Sequence, residues 1–317
     1  MNSIVLKAYA KINLSIDVLG KRSDGYHEVL MVMQQIDLYD TVKVYYENLE
    51  FSDDKNLQNQ KNNIIIKLGT NLEYLPTDDK NIAYKAALLM CEKYKRDSGI
   101  ITIDIDKKIP VAAGLAGGSA NGAAVIHALS KLWNLNLNIQ DLMDLGKQLG
   151  ADVPFCIMGQ AALNTNLEFL KEEGKIGTCA IASGIGEKLE VINGLAAWVV
   201  LSKPPISVVT AKVYKELKLN EITKRPNTNQ LVKGLKENNF YKISKNLINV
   251  LESVSLKEYP VIVYTKNKFE EIQKGHKALM SGSGPTVFSL YFNKNKAKRI
   301  YSKLKEINDE TFLVKLL

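Results

Sequence analysis

The stretch that most constrains the fold of this chain is PVAAGLAGGSANGAA, which runs from Pro110 to Ala124. An alternating apolar run, GIITIDIDKKIP from Gly99, precedes it, and a stripe at Val125, Leu129, Leu132 and Trp133 follows it. The alternation is typical of a strand, and the spacing of the stripe is typical of a helix with one face against a core. The chain therefore predicts a strand, a glycine-rich loop and a helix in direct succession.

A glycine loop at the start of a helix is suited to bind an anion. The first amide groups of a helix have no partner within it, and glycine lets a phosphate approach the backbone closely. The ordinary phosphate loop has Gly-Lys-Ser or Gly-Lys-Thr at its end, and no lysine stands at that place here. A tight strand-to-helix connection packed with small residues remains an alternative.

Length and composition predict a globular protein with about two domains. The chain has 317 residues, of which 46% are hydrophobic and 24% charged, as is ordinary for globular proteins. We place the boundary within 159–166, which gives domains 1–162 and 163–317. No apolar run reaches the roughly 18 residues needed to cross a bilayer, and Lys7 and Lys11 lie where a secretory segment would be apolar, so we expect a cytoplasmic protein with no membrane contact. Three cysteines with no paired spacing are expected to be reduced and mostly buried.

The net charge of +8 permits an anionic partner without naming one. Much of the excess lies at 293–306, where apolar residues at helical spacing predict a docked helix with a solvated basic face. A basic RNA-binding module is the other interpretation, but no basic stripe rich in aromatic residues supports it. We therefore expect no nucleic-acid partner.

Several further elements follow from periodicity. Ala10 to Leu19 alternates as a half-buried strand, which places Lys11 and Asn13 side by side on its polar face. A helix is predicted from Asn81, and strands are predicted at 196–201, at 261–265 and from Val287. Asp152 follows a helix that we expect Gly150 to cap at its C-terminus, and an aspartate in such a place more often stabilises a turn than catalyses a reaction.

Two of the motifs resemble those of the GHMP kinases, which include galactokinase, homoserine kinase and mevalonate kinase. PVAAGLAGGSANGAA is similar to their central motif, and MSGSGPTVF from Met280 is similar to their C-terminal motif. The resemblance implies a two-domain α+β fold with an N-terminal domain of the ribosomal-protein type and a C-terminal ferredoxin-like α/β sandwich. KAYAKINLSIDVLGKRSDGYHEV from Lys7 and GADVPF from Gly150 are similar to a branch that phosphorylates a cytidine diphosphate conjugate of methylerythritol, in the non-mevalonate isoprenoid pathway.

This resemblance implies an ATP- and Mg²⁺-dependent kinase acting on the tertiary hydroxyl at carbon 2 of the methylerythritol unit. Lys11 and Asp152 match the family's catalytic pair: the aspartate accepts or orients the hydroxyl proton, and the lysine keeps it ionised and offsets charge on the transferred phosphoryl group. We expect a monomer or a weak homodimer. Another GHMP kinase, acting on mevalonate, homoserine or a sugar, is the alternative. It would share the glycine loop but would not require the DGYH sequence at Asp24 to His27.

The resemblance also implies the binding residues. Tyr26 and His27 match positions that hold cytosine, Asn13 matches a residue lining the substrate pocket, and Thr210 and Tyr214 align with a threonine and a cytosine-stacking phenylalanine. Ser119 is the expected contact to Mg²⁺, and Asn81 the expected contact to adenine. Alanine stands at 116 and 120, where the family often has glycine and serine. The positions that match the phosphate loop are Pro110, Val111, Ala112, Ala113, Gly114, Leu115, Ala116, Gly117, Gly118, Ser119 and Ala120.

Overall fold

The structure is a computed structural model that describes residues 3–49, 64–173, 175–273 and 277–317. The chain forms two compact units, and each unit is built from several segments. The first comprises Met1–Tyr9, Tyr39–Ile109 and Ala116–Gly177, and the second comprises Ala10–Leu38, Pro110–Leu115 and Thr178–Leu317. Two long strands, β1 (Ser3–Lys21) and β2 (His27–Glu47), contribute residues to both units.

The first unit packs helices against a short sheet. Strand β3 (Ile64–Thr70) pairs in parallel with β4 (Gly99–Asp106), and β4 pairs antiparallel with the second half of β2. A 3-10 segment, Thr165–Glu173, follows the last helix. The helices of this unit are α1 (Ile82–Lys93), α2 (Gly117–Leu132), α3 (Ile139–Lys147) and α4 (Val153–Leu163).

The core of the first unit follows the predicted periodicities. In β4 the isoleucines at 101, 103 and 105 are buried, whereas Asp104 and Asp106 face solvent. Helix α2 is buried along most of its length, and small residues allow a close approach to α1. A Cβ on Gly122 would lie 2.7 Å from the Cγ2 atom of Ile82, so a larger residue would push the two helices apart.

The second unit contains two separate groups of strands. The first half of β2 pairs antiparallel with β5 (Cys179–Gly184), which pairs with β6 (Lys188–Val191). The other group is an antiparallel sheet in the order β10-β7-β9-β8, formed by Glu310–Lys315, Trp198–Lys203, Val287–Tyr291 and Leu279–Met280. The helices are α5 (Thr210–Glu216), α6 (Thr228–Lys236), α7 (Phe240–Asn246), α8 (Glu252–Glu258), α9 (Pro260–Ile272) and α10 (Lys294–Lys305), with a short 3-10 turn at Leu219–Glu221.

The helix predicted at 293–306 is confirmed as α10. It buries Ala297, Ile300 and Leu304 and leaves most of its lysines exposed. The strand–loop–helix succession around the glycine loop and the helix after Asn81 are confirmed as well. All three cysteines are buried and none is disulfide-bonded. No helix within the described ranges is long and apolar enough to cross a membrane.

Three predictions about individual elements are wrong. The run at 261–265 is helical and belongs to α9, which begins with Pro260 and buries Ile262, Thr265 and Phe269. Gly150 does not cap the preceding helix: α3 ends at Lys147, with Gln148 as its C-cap. Strand β1 is not half-buried between Ala10 and Val18, because its polar face is covered as well as its apolar one.

Strand β1 contacts distant segments of the second unit, both along its edge and on its polar face. The backbone amide of Ile16 donates to the carbonyl of Ile248 (3.0 Å), and the amide of Val250 donates to the carbonyl of Ile16 (3.0 Å). Segment 248–250 therefore lies along the strand. Asp17 forms an ion pair with Arg225, so even the charged position near the end of this face is satisfied within the protein.

Candidate active site

Lys11 and Asn13 are neighbours on β1, as the alternation predicts, and both are buried. Their exposed fractions are 3% and 0%, and the Lys11 Nζ atom donates to the Asn13 Oδ1 atom (2.6 Å). The Lys11 backbone amide donates to the carbonyl of Leu115, at the end of the glycine-loop segment of this unit (3.1 Å). The second unit therefore holds a desolvated lysine beside that loop segment.

The glycine cluster at 281–284 packs against the same loop segment. The Ser281 hydroxyl donates to the carbonyl of Gly114 (2.9 Å), and the Gly282 amide donates to the Asn13 Oδ1 atom (3.1 Å). Gly114 has a φ of 74°, and a Cβ there would lie 2.3 Å from the Ser281 carbonyl oxygen. Only glycine fits this position, because the 281–284 turn packs directly against it.

Two buried side chains form hydrogen bonds with carbonyl groups in and next to the 281–284 turn. The Asn249 Nδ2 atom donates to the carbonyls of Met280 and Gly282, both at 2.8 Å. The Ser255 hydroxyl donates to the carbonyl of Ser283 (2.9 Å). Neither Asn249 nor Ser255 belongs to a recognisable local pattern, so the sequence analysis missed both. Asn249, for example, lies between two helices and binds residues more than 30 positions away.

In the first unit, helix α2 begins with an anion-binding geometry. Its N-cap residue, Ala116, has left-handed backbone angles (φ 58°, ψ 28°) and supplies no side-chain acceptor. The amides of Gly117, Gly118 and Ser119 begin the helix, so they are the groups that lack a partner within it. Together with the positive end of the helix dipole they favour a phosphate group.

The start of α2 is anchored by a charged cluster that the sequence did not reveal. The buried Asp40 carboxylate accepts hydrogen bonds from the Lys108 and Ile109 amides (2.7 and 2.8 Å) and from the Asn121 Nδ2 atom (2.8 Å). Lys107 forms an ion pair with Asp40 (2.5 Å) and donates to the Asn121 Oδ1 atom (2.9 Å). Asp40 therefore ties the end of β4 to the first turns of α2.

Asp152 and Asn81 stand at the starts of other helices of the first unit. Asp152 is partly buried and directly precedes α4, yet its carboxylate does not cap that helix. Asn81 does cap α1, because its Oδ1 atom accepts from the Ala83 amide (3.0 Å), and its Nδ2 atom donates to the carbonyl of Pro76 (2.9 Å). The structure thus gives Asn81 a structural task, and its contact to adenine stays a prediction.

Two of the residues predicted to hold cytosine are in contact in the second unit. The rings of His27 and Tyr214 lie 5.4 Å apart, tilted by 38°. Partial burial and the charge of Lys21 lower the pKa of His27, so its ring is neutral at pH 7 and can both donate and accept a hydrogen bond. Tyr26 is 60% exposed. Thr210 is tied to the 281–284 turn, because its hydroxyl lies 2.9 Å from that of Ser283.

No group of three or more His, Cys, Asp or Glu side chains within the described part of the chain could hold a metal ion. Magnesium in phosphoryl-transfer sites keeps several waters and is bound by the phosphates together with one or two protein oxygens. Ser119, in the first turn of α2 and partly exposed, can supply one such oxygen. The residues present therefore fit a Mg²⁺ ion that arrives with a nucleotide.

Comparison with known proteins agrees with this geometry. The model of the GHMP kinases N-terminal domain matches residues 81–160, and that of the GHMP kinases C-terminal domain matches residues 231–309. The chain therefore belongs to the GHMP kinase family.

Its similar relatives within that family share one name. The 4-diphosphocytidyl-2-C-methyl-D-erythritol kinase of Alkaliphilus metalliredigens is 46% identical over 315 residues, covering 99% of this chain and 97% of that protein. The kinase of the same name from Acetivibrio thermocellus is 45% identical and covers 100% of both chains.

Solved structures extend the comparison to the fold. A crystal structure of 4-(cytidine 5'-diphospho)-2C-methyl-D-erythritol kinase superimposes with a TM-score of 0.72 at 25% identity and covers 99% of each chain. Homoserine kinase from Cytophaga hutchinsonii shares the fold, with a TM-score of 0.69 at 19% identity over 99% of this chain and 95% of that one. The predicted two-domain α+β kinase fold is confirmed.

Proposed function

We propose that this chain transfers the γ-phosphoryl group of ATP to the carbon-2 hydroxyl of 4-diphosphocytidyl-2-C-methyl-D-erythritol. The observation that carries the proposal is the full-length identity of 41–46% to kinases of that name. The glycine loop, the buried lysine and the aromatic pair at His27 are the features that such a reaction requires.

The donor side is assigned to the loop from Pro110 to Ala120. The uncapped amides at the start of α2 bind the β- and γ-phosphates, with Ser119 contributing a hydroxyl oxygen to Mg²⁺. When bound, this ion neutralises charge on the phosphates and orients them for transfer. The contacts of Gly114 with the 281–284 turn keep its part of the loop in one conformation, so the cost of ordering it is met before the nucleotide binds.

The acceptor side is assigned to Asn13, Tyr26, His27, Thr210 and Tyr214. The tilted His27 and Tyr214 rings present an aromatic face of the kind on which a base stacks. A neutral His27 ring supplies a donor and an acceptor to the polar edge of cytosine. Because a site built for hydrogen bonding rejects analogues that lack those groups, these residues would set the specificity for the cytidine conjugate.

The chemistry is assigned to Lys11 and Asp152. Asp152 accepts the proton of the attacking hydroxyl, which makes the oxygen a better nucleophile. Lys11 offsets negative charge that develops on the transferred group, and its burial strengthens that interaction because little water screens it. Lys11 also supplies positive charge that the glycine loop itself lacks.

The test compares candidate acceptors under one set of conditions. Purified protein with ATP and Mg²⁺ is given the cytidine conjugate, mevalonate, homoserine or galactose, and ATP consumption is measured. We expect turnover with the cytidine conjugate alone. His27→Ala should raise the KM for the conjugate by about tenfold, the scale of a lost polar contact, and leave ATP binding unchanged. Turnover of another acceptor, or loss of ATP affinity in His27→Ala with normal use of the conjugate, would contradict the assignment.

The division of the chain into domains 1–162 and 163–317 is also a proposal. The two family matches lie on either side of it, whereas the compact units exchange segments along the chain. We further propose that the protein acts as a monomer or weak homodimer on small molecules alone, without a nucleic-acid partner.

A further inference from the structure

A cavity of about 270 Å³ lies in the second unit, with Asn249 in its lining. It is lined by residues 221–224, by residues 247–250, 252 and 253, and by Lys277. None of the residues assigned to the catalytic or substrate-binding machinery lines it. At roughly 30 Å³ for each water molecule, the cavity has room for a small organic molecule.

Two lysines on this cavity have no counterion of their own. Among the described residues, neither Lys224 nor Lys277 forms an ion pair. The two glutamates of the lining are engaged elsewhere, since Glu252 binds Lys266 through both carboxylate oxygens (2.7 Å each) and Glu221 pairs with Lys218 (2.9 Å). Lys277 therefore lies near the charges of Lys224 and Lys266 and near those of Glu252 and Glu270, and both glutamates of the lining are already bound to another lysine.

The surroundings of Lys277 make the positive charge of its side chain energetically unfavourable. Its side chain is half-buried, and its backbone is held because the Ser289 hydroxyl donates to its carbonyl (2.8 Å). Burial first, and the nearby charge of Lys224 second, lower the pKa of Lys277 to about 8. A bound anion would remove both penalties, because it replaces lost water and offsets the repulsion between the lysines.

The remaining lining defines the rest of the ligand. Leu247 and Val250 are buried apolar residues, and Ile222 adds a third apolar side chain. The Ser253 hydroxyl donates to the carbonyl of Val250 (2.7 Å) and carries no charge. Two ammonium groups suit a phosphate dianion, and the apolar wall suits a carbon skeleton attached to it.

We propose that this cavity is a second ligand site, which binds a small phosphate monoester between Lys224 and Lys277. The site shares a wall with the glycine turn. Asn249 donates to the carbonyls of Met280 and Gly282, and the Glu252 Oε1 atom accepts from the Met280 amide (3.0 Å). A ligand held here would therefore contact the residues that position the 281–284 turn.

The test uses pyridoxal 5′-phosphate, a phosphate monoester that carries an aldehyde. The neutral amine of Lys277 adds to the aldehyde carbon with loss of water, and borohydride then delivers a hydride to the imine and makes the bond permanent. Peptide mass spectrometry measures labelling at each lysine. We expect labelling at Lys277 at least about tenfold faster than at exposed Lys257, since a pKa of about 8 raises the neutral amine fraction at pH 7 by roughly two to three hundredfold and partial burial limits access of the reagent.

Two controls separate anion recognition from simple reactivity. Pyridine-4-carboxaldehyde has the reactive ring without the phosphate, and inorganic phosphate competes for the anion position alone. We expect inorganic phosphate to protect Lys277 from pyridoxal 5′-phosphate and not from pyridine-4-carboxaldehyde. Lys224→Met should abolish the preference for the phosphorylated reagent, whereas Lys233→Met, an exposed lysine outside the cavity, should leave it unchanged.

Equal labelling of Lys277 by the two aldehydes, or no protection by phosphate, would overturn the proposal. Circular dichroism of each variant before labelling confirms that it is folded. The experiment measures labelling of Lys277 rather than turnover. A negative result for this second site is therefore distinguishable from failure of the proposed kinase activity.

Discussion

Two alanines in the glycine loop adopt backbone angles that glycine adopts more readily. The φ angle is 50° at Ala112 and 58° at Ala116, in the left-handed region where a Cβ approaches the following carbonyl. Non-glycine residues in this region cluster at functional sites, where surrounding contacts hold them. Ala116 is one of the positions at which the chain departs from the resembled family, and the departure falls on a strained residue.

Ala116→Gly should stabilise the protein. Removing the Cβ relieves about 1–2 kcal/mol of left-handed strain, and the greater freedom of glycine in the unfolded chain offsets about 0.5–1 kcal/mol of that gain. The net increase in unfolding free energy is therefore about 0.5–1 kcal/mol, measured by urea titration. Ala120→Gly is the matched control, because Ala120 lies inside α2 and is buried. Loss of its methyl group should therefore lower the unfolding free energy. A decrease for Ala116→Gly would show that the methyl group is packed rather than strained.

His127 illustrates a buried residue with a purely structural role. It lies on α2 with an exposed fraction of 1%, and its Nε2 atom is 3.0 Å from the carbonyl oxygen of Ile157. Burial lowers the pKa of His127 to about 4. The ring is therefore neutral in the folded protein and donates to that carbonyl. His276 lies outside the described residues.

The depressed pKa of His127 predicts a loss of stability in mild acid. Above pH 6.5 the ring is neutral in both the folded and the unfolded chain. Between pH 6.5 and about 4 the unfolded chain binds a proton that the folded protein does not, so stability falls as pH falls. The loss between pH 7.5 and 5 is about 2 kcal/mol, measured by urea titration at each pH. His127→Gln keeps a donor without the titration and should show a shallower slope; equal slopes would contradict this account.

At the scale of elements, strand β1 and the 281–284 turn depend on the connection between α7 and α8. Segment 248–250 lies along β1, and Asn249 in its centre binds two carbonyls of the turn. The turn in turn binds Gly114 and Asn13. Asn249 is thus a positioning residue, which acts on the glycine loop through another element.

Asn249→Ala should weaken nucleotide binding. The change removes two hydrogen bonds donated to the carbonyls of Met280 and Gly282 and one accepted from the Leu251 amide, which costs about 2–4 kcal/mol of stability. Because the turn then loses its anchor, the dissociation constant for ADP should rise by about tenfold, equivalent to roughly 1.4 kcal/mol, as measured by calorimetry. Asn246→Ala is the matched control: Asn246 also makes two backbone hydrogen bonds, but none to the turn. A parallel loss of ADP affinity in both variants would show a general rather than a positional effect.

At the scale of the whole molecule, the residues assigned to the chemistry come from both compact units. Lys11 belongs to the second unit and Asp152 to the first. The proposal requires that both act in one chemical step, which makes a quantitative prediction about their combined loss.

Asp152→Asn should slow phosphoryl transfer by roughly 10²-fold or more, the usual scale for a positioned base, with both substrates still bound. Lys11→Met should depress the same step, since it removes the charge and keeps an apolar stem. If the two act together, the double variant should be little worse than the poorer single one. Single-turnover kinetics with saturating substrates on all four proteins measures this. Small, strictly additive losses would instead indicate residues that only stabilise the fold.

Local sequence patterns were sufficient for much of the fold and part of the site. The alternation before the glycine loop, the helical stripe after it and the adjacency of Lys11 and Asn13 are properties of a single segment. Periodicity reports them because it reflects which face of one element is apolar. The basic helix at 294–305 could be predicted for the same reason.

Only the tertiary structure decided what depends on segments far apart in the chain. Asn13 and Asp17, on the polar face of β1, are contacted by Gly282 and Arg225 from far along the chain. The run at 261–265 is helical because burial of α9 outweighs the strand preference of its β-branched residues. Asp40 binds a loop and a helix about 70 and 80 residues later, and Asn249 holds a turn about 30 residues later. Such contacts produce no periodic pattern in either segment. They can be recognised only when the fold has brought the two residues together.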